Sequence, residues 1–247
     1  MIAMNSKEYF FNEVIKERCA ATNGPIRVLE LGCGTASYVP AMIEKYPQLE
    51  YVGIDPMIES FKTAEKILKD VPRSSVSFQL GYDEIEGLVD ESFDVVISFS
   101  VLEHVKQLDL FMTLANRYLK KGGLMVHRYD LGHALYPATL KDTIHVTLGN
   151  ILPAILPETK FVRYVPMDEV VAFYVQLLGE SPYKFTYHQM PNQKALENVL
   201  RKTDEVNGKL YTDIYEWEFA NAKTFAALPL PVREKLFPTV AVWGHKK

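Results

Sequence analysis

Apolar residues in this chain fall into short continuous blocks, separated by stretches in which polar and apolar residues mix. Phe93–Phe99 is almost wholly apolar, Ile26–Leu31 is apolar apart from Arg27 and Glu30, and Tyr51–Ile54, Val76–Leu80 and Leu124–Tyr129 are further mainly apolar runs. Blocks of this length, bounded by turn residues, predict strands. The stretches between them predict helices at Ser37–Tyr46, Met57–Lys69 and Gln107–Lys120, with a further helix at Ser6–Ala21 before the first strand. Strands that are apolar on both faces and alternate with helices build a parallel sheet covered on both sides. The expected class is α/β, doubly wound.

Beyond residue 130 the regularity lapses. Nine of the 14 prolines lie there, so loops and interrupted helices are expected. Two strand candidates remain, Tyr183–Met190 and Thr239–Lys246, with helical segments Asn192–Glu205 and Tyr211–Ala227 between them. Tyr211, Tyr215 and Phe219 recur at helical spacing with Trp217 among them, a stripe expected to pack an added helical layer over the sheet and to roof a pocket.

Composition narrows the function classes. A chain of 247 residues with 48% hydrophobic and 23% charged residues can bury a large core without metal or disulfide support. Its two cysteines, Cys19 and Cys33, offer neither a disulfide framework nor a Cys/His metal spacing, so no metal is expected. The net charge of −4 disfavours a nucleic-acid partner, whose phosphates need a basic face. Near-apolar stretches such as Val170–Leu178 fall far short of the roughly 20 residues that span a bilayer, so no membrane association is expected. Lys7 and Glu8 interrupt the start, where a secretion signal would be apolar. The expectation is a soluble, reduced, cytoplasmic protein.

Two segments carry chemistry. In Leu29-Glu30-Leu31-Gly32-Cys33-Gly34-Thr35, glycines at alternate positions after a strand let the backbone turn sharply and approach a ligand. The helix that follows presents free N–H groups. Asp55, which ends the second strand 21 residues after Gly34, can accept hydrogen bonds from both ribose hydroxyls. It can equally cap the helix beginning at Pro56–Met57. Together the two segments imply a nucleoside-containing cofactor. Ser37 stands where a dinucleotide site wants a third glycine, and Glu30 would repel a pyrophosphate but suit a positive amine or sulfonium.

With these residues the sequence resembles the class I S-adenosylmethionine-dependent methyltransferases, in particular the type-11-like subgroup. The resemblance runs from about Val28 to Val126. It includes Leu29–Thr35, Val52-Gly53-Ile54-Asp55-Pro56, the run Asp90–Ser98 followed by Ser100-Val101-Leu102-Glu103-His104-Val105, and Tyr118-Leu119-Lys120-Lys121-Gly122-Gly123. It implies a Rossmann-like, mostly parallel seven-strand sheet and S-adenosyl-L-methionine as cofactor. By that likeness Glu30, Gly32, Cys33 and Gly34 surround the methionine part, Asp55 takes the ribose, and Pro56 and Met57 flank the adenine. An acid after strand three would meet the adenine amino group. Counting back from Asp90 puts Tyr82 there, and a one-residue shift puts Asp83, with Glu84 next to it. Ser98, Phe99 and Ser100 would line the pocket beside the sulfonium.

Methyl transfer needs alignment and exclusion of water more than acid–base help. His104 and His133 are the candidate bases, each equally readable as a packed or backbone-bonded histidine. In the segment after strand five, Arg128, Tyr129 and Tyr136 are candidate acceptor contacts. The expected organisation is one domain over 1–247: a cofactor-binding core at 26–130, an acceptor-side cap at 131–182 and a helical insertion at 192–236 before the last strand. The expected partner is a small-molecule methyl acceptor, methylated at oxygen or nitrogen. A binding protein without turnover, or an NAD-dependent oxidoreductase, are the alternative readings.

Overall fold

Seven strands form one sheet in the order β3-β2-β1-β4-β5-β7-β6 in a computed structural model that describes residues 6–22, 24–137, 139–151, 161–189 and 205–247. The strands are β1 (Ile26–Leu31), β2 (Leu49–Asp55), β3 (Ser74–Phe78), β4 (Phe93–Phe99), β5 (Leu119–Asp130), β6 (Lys184–His188) and β7 (Thr239–His245). The first five pair in parallel, and β7 runs antiparallel to both β5 and β6. The expected doubly wound, mostly parallel seven-strand sheet is therefore present.

Helices cover both faces. One face carries α1 (Ser6–Ala21), α2 (Val39–Lys45) and α3 (Ile58–Leu68), whose Phe10, Phe11, Met42, Ile43 and Ala64 join Val28, Val95, Ile97 and Phe99 in one core layer. The other carries α4 (Leu108–Tyr118), whose Phe111, Met112 and Ala115 pack on Leu29, Val96 and Met125. The same layer takes in α7 (Met167–Phe173) and the π-helical turn Tyr174–Leu178 that continues it. Strand β4 is buried nearly throughout because both layers close over it, which is what its mainly apolar sequence requires.

Two boundaries differ from expectation. Gly122-Gly123 lies inside β5 rather than before it. Leu119 pairs with Phe93 and Leu124 with Val95, so a bulge takes up the extra residues, and Gly122 turns it at φ 72°. Strand β3 starts at Ser74, two residues before the expected Val76, because its backbone pairs with Tyr51–Asp55 whatever its side chains.

After β5 come α5 (Gly132–Leu135) and α6 (Leu140–Ile151), and between β6 and β7 lie α8 (Glu205–Ala220), α9 (Ala222–Ala226) and α10 (Leu230–Leu236). The expected helix Asn192–Glu205 lies outside the described residues except at Glu205. From the aromatic stripe of α8, Tyr215 stacks on Tyr9 at 4.8 Å and Phe219 lies 5.4 Å from Phe10. Trp217 is exposed, and the side chain of Tyr211 is outside the described residues. The stripe packs α8 on α1, and among the described residues it lines no cavity. Among the described residues, no helix is long and apolar enough to cross a membrane.

Candidate functional site

The strand order reverses between β1 and β4, and chains leaving those two strands part in opposite directions. Open α/β sheets form their ligand crevice at such a switch point, outside the carboxyl ends of the strands. A cavity of about 310 Å³ lies there, at the low end of the range of about 300–1,000 Å³ for small-molecule sites. Its walls come from the turn after β1, the end of β2, the segment after β3 and the exit of β4.

The β1 turn has the shape its glycines allow. Gly32 sits at φ +80° and Gly34 at φ +60°, both left-handed. A Cβ on Gly32 would stand 2.4 Å from Val101 Cγ2, so a side chain there is excluded by space as well as by conformation. Asp55 fastens this turn to β2. Its Oδ2 accepts the Gly34 N–H at 2.7 Å, and its Oδ1 accepts the Met57 N–H at the start of α3 at 2.9 Å. The cap reading of Asp55 is therefore present in the structure, while the carboxylate also fronts the cavity with lone pairs to spare.

Glu30 does not line the cavity. It is wholly buried behind the turn, where the hydroxyls of Tyr38 and Tyr51 both donate to its Oε2, the latter at 2.6 Å, and Oε1 has no hydrogen-bond partner among the described residues. Burial pushes its carboxyl above the usual range, and Lys7 of α1 opposes that shift. Lys7 itself reaches the cavity wall beside Gly34. Cys33 is buried against Gly53, its thiol pushed up by the same desolvation.

At the exit of β4, Ser100 holds φ 58°, an uncommon conformation for a residue with a side chain, and its N–H donates to the Arg128 carbonyl at 2.7 Å. This bend turns the chain over the cavity, which Ser100, Val101 and His104 line. The Nδ1–H of His104 donates to the Phe161 carbonyl at 2.8 Å. Burial lowers its pKa and leaves the ring neutral. Behind it, Glu103 is 1% exposed, and neither of its oxygens accepts a hydrogen bond among the described residues. Burial pushes its carboxyl up to about 7. His133 stands beside it, with Nδ1 3.8 Å from Glu103 Oε1 and Nε2 3.4 Å from Asp130 Oδ2.

The structure thus brings Gly32, Gly34, Asp55, Pro56, Met57, Ser100 and His104 together around one cavity. It places the other expected residues elsewhere. Asp83 and Glu84 are exposed, and Glu84 pairs with Arg117 at 3.1 Å, while Gln79, Gly81 and Tyr82 form that part of the wall. Ser98 and Phe99 are interior, with the Ser98 hydroxyl 2.7 Å from His127 Nδ1. Arg128 is buried with its guanidinium 4.7 Å over the Phe10 ring, and Tyr129 is fully buried in the opposite layer. These two belong to β5, which continues to Asp130, so their side chains alternate into the two cores instead of facing a ligand. His133 and Tyr136 are about half exposed and lie off the cavity wall. Lys7, Gln79 and Glu103 were not singled out in the sequence. Glu103 carried the one available signal, its adjacency to His104 in a strand-exit motif.

Comparison with known proteins gives a consistent answer. Residues 23–159 match a family described as "Methyltransferase domain". A mouse mitochondrial ubiquinone biosynthesis O-methyltransferase is 32% identical over 119 residues, which is 44% of this chain and 31% of that protein. The chain thus aligns with about a third of the length of that curated relative. Among solved structures, phosphoethanolamine N-methyltransferase 2 of Haemonchus contortus in complex with S-adenosyl-L-methionine superposes with a TM-score of 0.58 at 14% identity, covering 96% of this chain and 52% of that one. The YcgJ protein of Bacillus subtilis gives 0.59 at 14% identity, covering 96% and 99%. At these identities the likeness is one of fold.

Proposed function

Since the chain belongs to the methyltransferase-domain family, we propose that it transfers a methyl group from S-adenosyl-L-methionine to an oxygen atom of a small-molecule acceptor. The observation that carries this reading is the Gly32–Gly34 turn held by Asp55 at the mouth of the switch-point cavity. A cradle of backbone backed by a carboxylate suits a ribose, and the sides of the cavity suit what flanks it. Pro56 and Met57 would lie against the adenine from one side, with Gln79 and Tyr82 at its edge. Lys7 would receive the amino-acid carboxylate, since it is the one lysine or arginine among the cavity's described lining residues. Glu30, buried behind the turn and charge-coupled to Lys7, would hold that end of the site in place through Tyr38 and Tyr51.

The cofactor supplies an already activated methyl group on a sulfonium. What the chain must add is position and dryness. Ser100, Val101 and His104 stand where an acceptor would meet the methyl end of the cavity. Neutral His104 has its Nδ1 committed to Phe161, so its Nε2 can accept a hydrogen bond from an acceptor hydroxyl and orient the oxygen lone pair. When bound, the cofactor would give up its methyl group as the S–C electron pair returns to sulfur, and water would take the acceptor's hydroxyl proton. The choice of oxygen over nitrogen rests on the names of the curated relatives, whose activity is stated for proteins this chain matches only in part.

Calorimetric titration with S-adenosylhomocysteine tests the reading. Saturable binding at micromolar concentrations is expected; no heat at millimolar ligand would sink it. Incubation with labelled cofactor and extract-derived small molecules then separates a working enzyme from a protein that only binds the cofactor.

A further inference from the structure

We infer that Glu103, His104 and His133 form a binding site for one divalent first-row transition cation at the acceptor end of the cavity. One donor atom from each of the three lies within 4.8 Å of the other two. Donors around such a cation at about 2.0–2.2 Å stand about 3–3.5 Å apart, so the set has to draw in modestly. The half-exposed His133 ring, on the short helix α5, has the freedom to do so.

Three further features separate this cluster from a chance meeting of polar groups. The first is Glu103 itself, a wholly buried carboxylate whose two oxygens accept no hydrogen bond among the described residues. Such a group is costly unless a proton or a cation answers it. The second is the outer hydrogen bonding of the histidines. Metal-binding imidazoles almost always donate their far nitrogen to a carbonyl or carboxylate. His104 already does so to the Phe161 carbonyl, which leaves Nε2 as the nitrogen with the lone pair. His133 directs Nδ1 toward Glu103 and holds Nε2 3.4 Å from Asp130, whose other oxygen is anchored on the Gly132 N–H at 2.7 Å. Each ring is therefore backed by an acceptor on the side away from the cluster. The third is access. Half-exposed His133 opens the cluster to solvent, and His104 opens it to the cavity.

Two imidazoles and one carboxylate favour zinc, manganese, iron or their neighbours over magnesium or calcium, which take oxygen donors. Three protein donors leave coordination positions open. Resting on the methyl-transfer reading, one open position would take the acceptor's hydroxyl oxygen and lower its pKa, its proton passing to water. With the cation bound, His104 Nε2 is a ligand, and the cation orients the acceptor oxygen in place of that ring.

The full chain, stripped with chelator and dialysed, is titrated with Zn²⁺ by calorimetry and with Mn²⁺ by the loss of the free-ion electron spin resonance signal. One equivalent is expected to bind in the micromolar range or tighter. Losing an outer partner alone typically weakens metal affinity about 10- to 100-fold, so H133A, which removes a donor, should weaken it at least about tenfold. E103Q should do the same. If E103Q fails to fold, as judged by circular dichroism, H133A decides, because its side chain is half exposed. Absence of saturable binding up to about 100 µM cation overturns the site, as does unchanged affinity in H133A. Because the titration uses no cofactor, failure here leaves S-adenosylhomocysteine binding intact, and failure of that binding leaves this result standing.

Discussion

Asp55 does two jobs in this structure, and substitution can pull them apart. Its carboxylate accepts the Gly34 N–H at 2.7 Å and the Met57 N–H at 2.9 Å, and it faces the cavity. Hydrogen bonds to a charged group contribute about 1.5–3 kcal/mol each. Water from the cavity can reach the freed N–H groups, so the lower figure applies. D55A should then destabilise the fold by about 3 kcal/mol, and D55N, which keeps one acceptor oxygen, by about half of that. Two ribose hydrogen bonds lost at a similar size would weaken S-adenosylhomocysteine at least about 100-fold in D55A. Urea unfolding measures the first effect and calorimetry the second, at a temperature where both variants remain folded. A D55A unfolding free energy within about 0.5 kcal/mol of wild type would refute the tether. Undiminished ligand affinity in a folded D55A would refute the ribose assignment even if the tether stood.

Three further outcomes follow from other parts of the site and core. His127 titrates near 6.5 when unfolded but is pushed down to about 3 by burial, so between those values the unfolded chain holds the extra proton. Stability from this residue is full above about pH 6.5 and should fall by about 2 kcal/mol between pH 7.5 and 5, a component absent from H127N; identical pH slopes in urea unfolding would contradict it. G32A should weaken cofactor binding and stability together, because left-handed backbone costs a side-chain residue about 1–2 kcal/mol and the new methyl meets Val101. Adding V101A should recover the steric part only, and no recovery at all would count against the contact. K7M should weaken S-adenosylhomocysteine about tenfold while leaving 5′-methylthioadenosine, which lacks the amino-acid carboxylate, unaffected; equal loss for both ligands would place Lys7 elsewhere.

Much of the cofactor side could be read from the chain because it is built from local rules. Ile26–Leu31 and Phe93–Phe99 are strands buried on both faces, so a mainly apolar stretch bounded by turn residues gives their ends to the residue. The glycine turn and Asp55 are fixed by backbone geometry that few other residues can supply. What escaped detection depends on tertiary partners. Ser74-Ser75 of β3 carry no apolar signal and become strand because β2 offers its edge. Lys7 reaches the cavity only through the way α1 packs, and no pattern in Ser6–Ala21 says which face does so. Arg128 and Tyr129 close the expected strand Leu124–Tyr129, where they could face an acceptor, but pairing with β7 carries β5 on to Asp130 and both side chains are buried. Glu103, His104 and His133 come from two segments 29 residues apart, and only the parallel pairing of β4 with β5 makes them neighbours.

The position of β7 bears on how the chain assembles during synthesis. It follows every other strand in sequence, yet it lies between β5 and β6 in the sheet. Until it emerges from the ribosome, β5 presents one unpaired edge and β6 has no neighbour to pair with. The first five strands and the crevice at their switch point can assemble in that interval, because their pairing needs nothing after Asp130. Their open edge at β5 is meanwhile a template for other chains. A nascent chain stalled before Thr239 would thus hold a formed crevice and an adhesive border, which makes the closing strand the step at which this protein passes from aggregation-prone to safe.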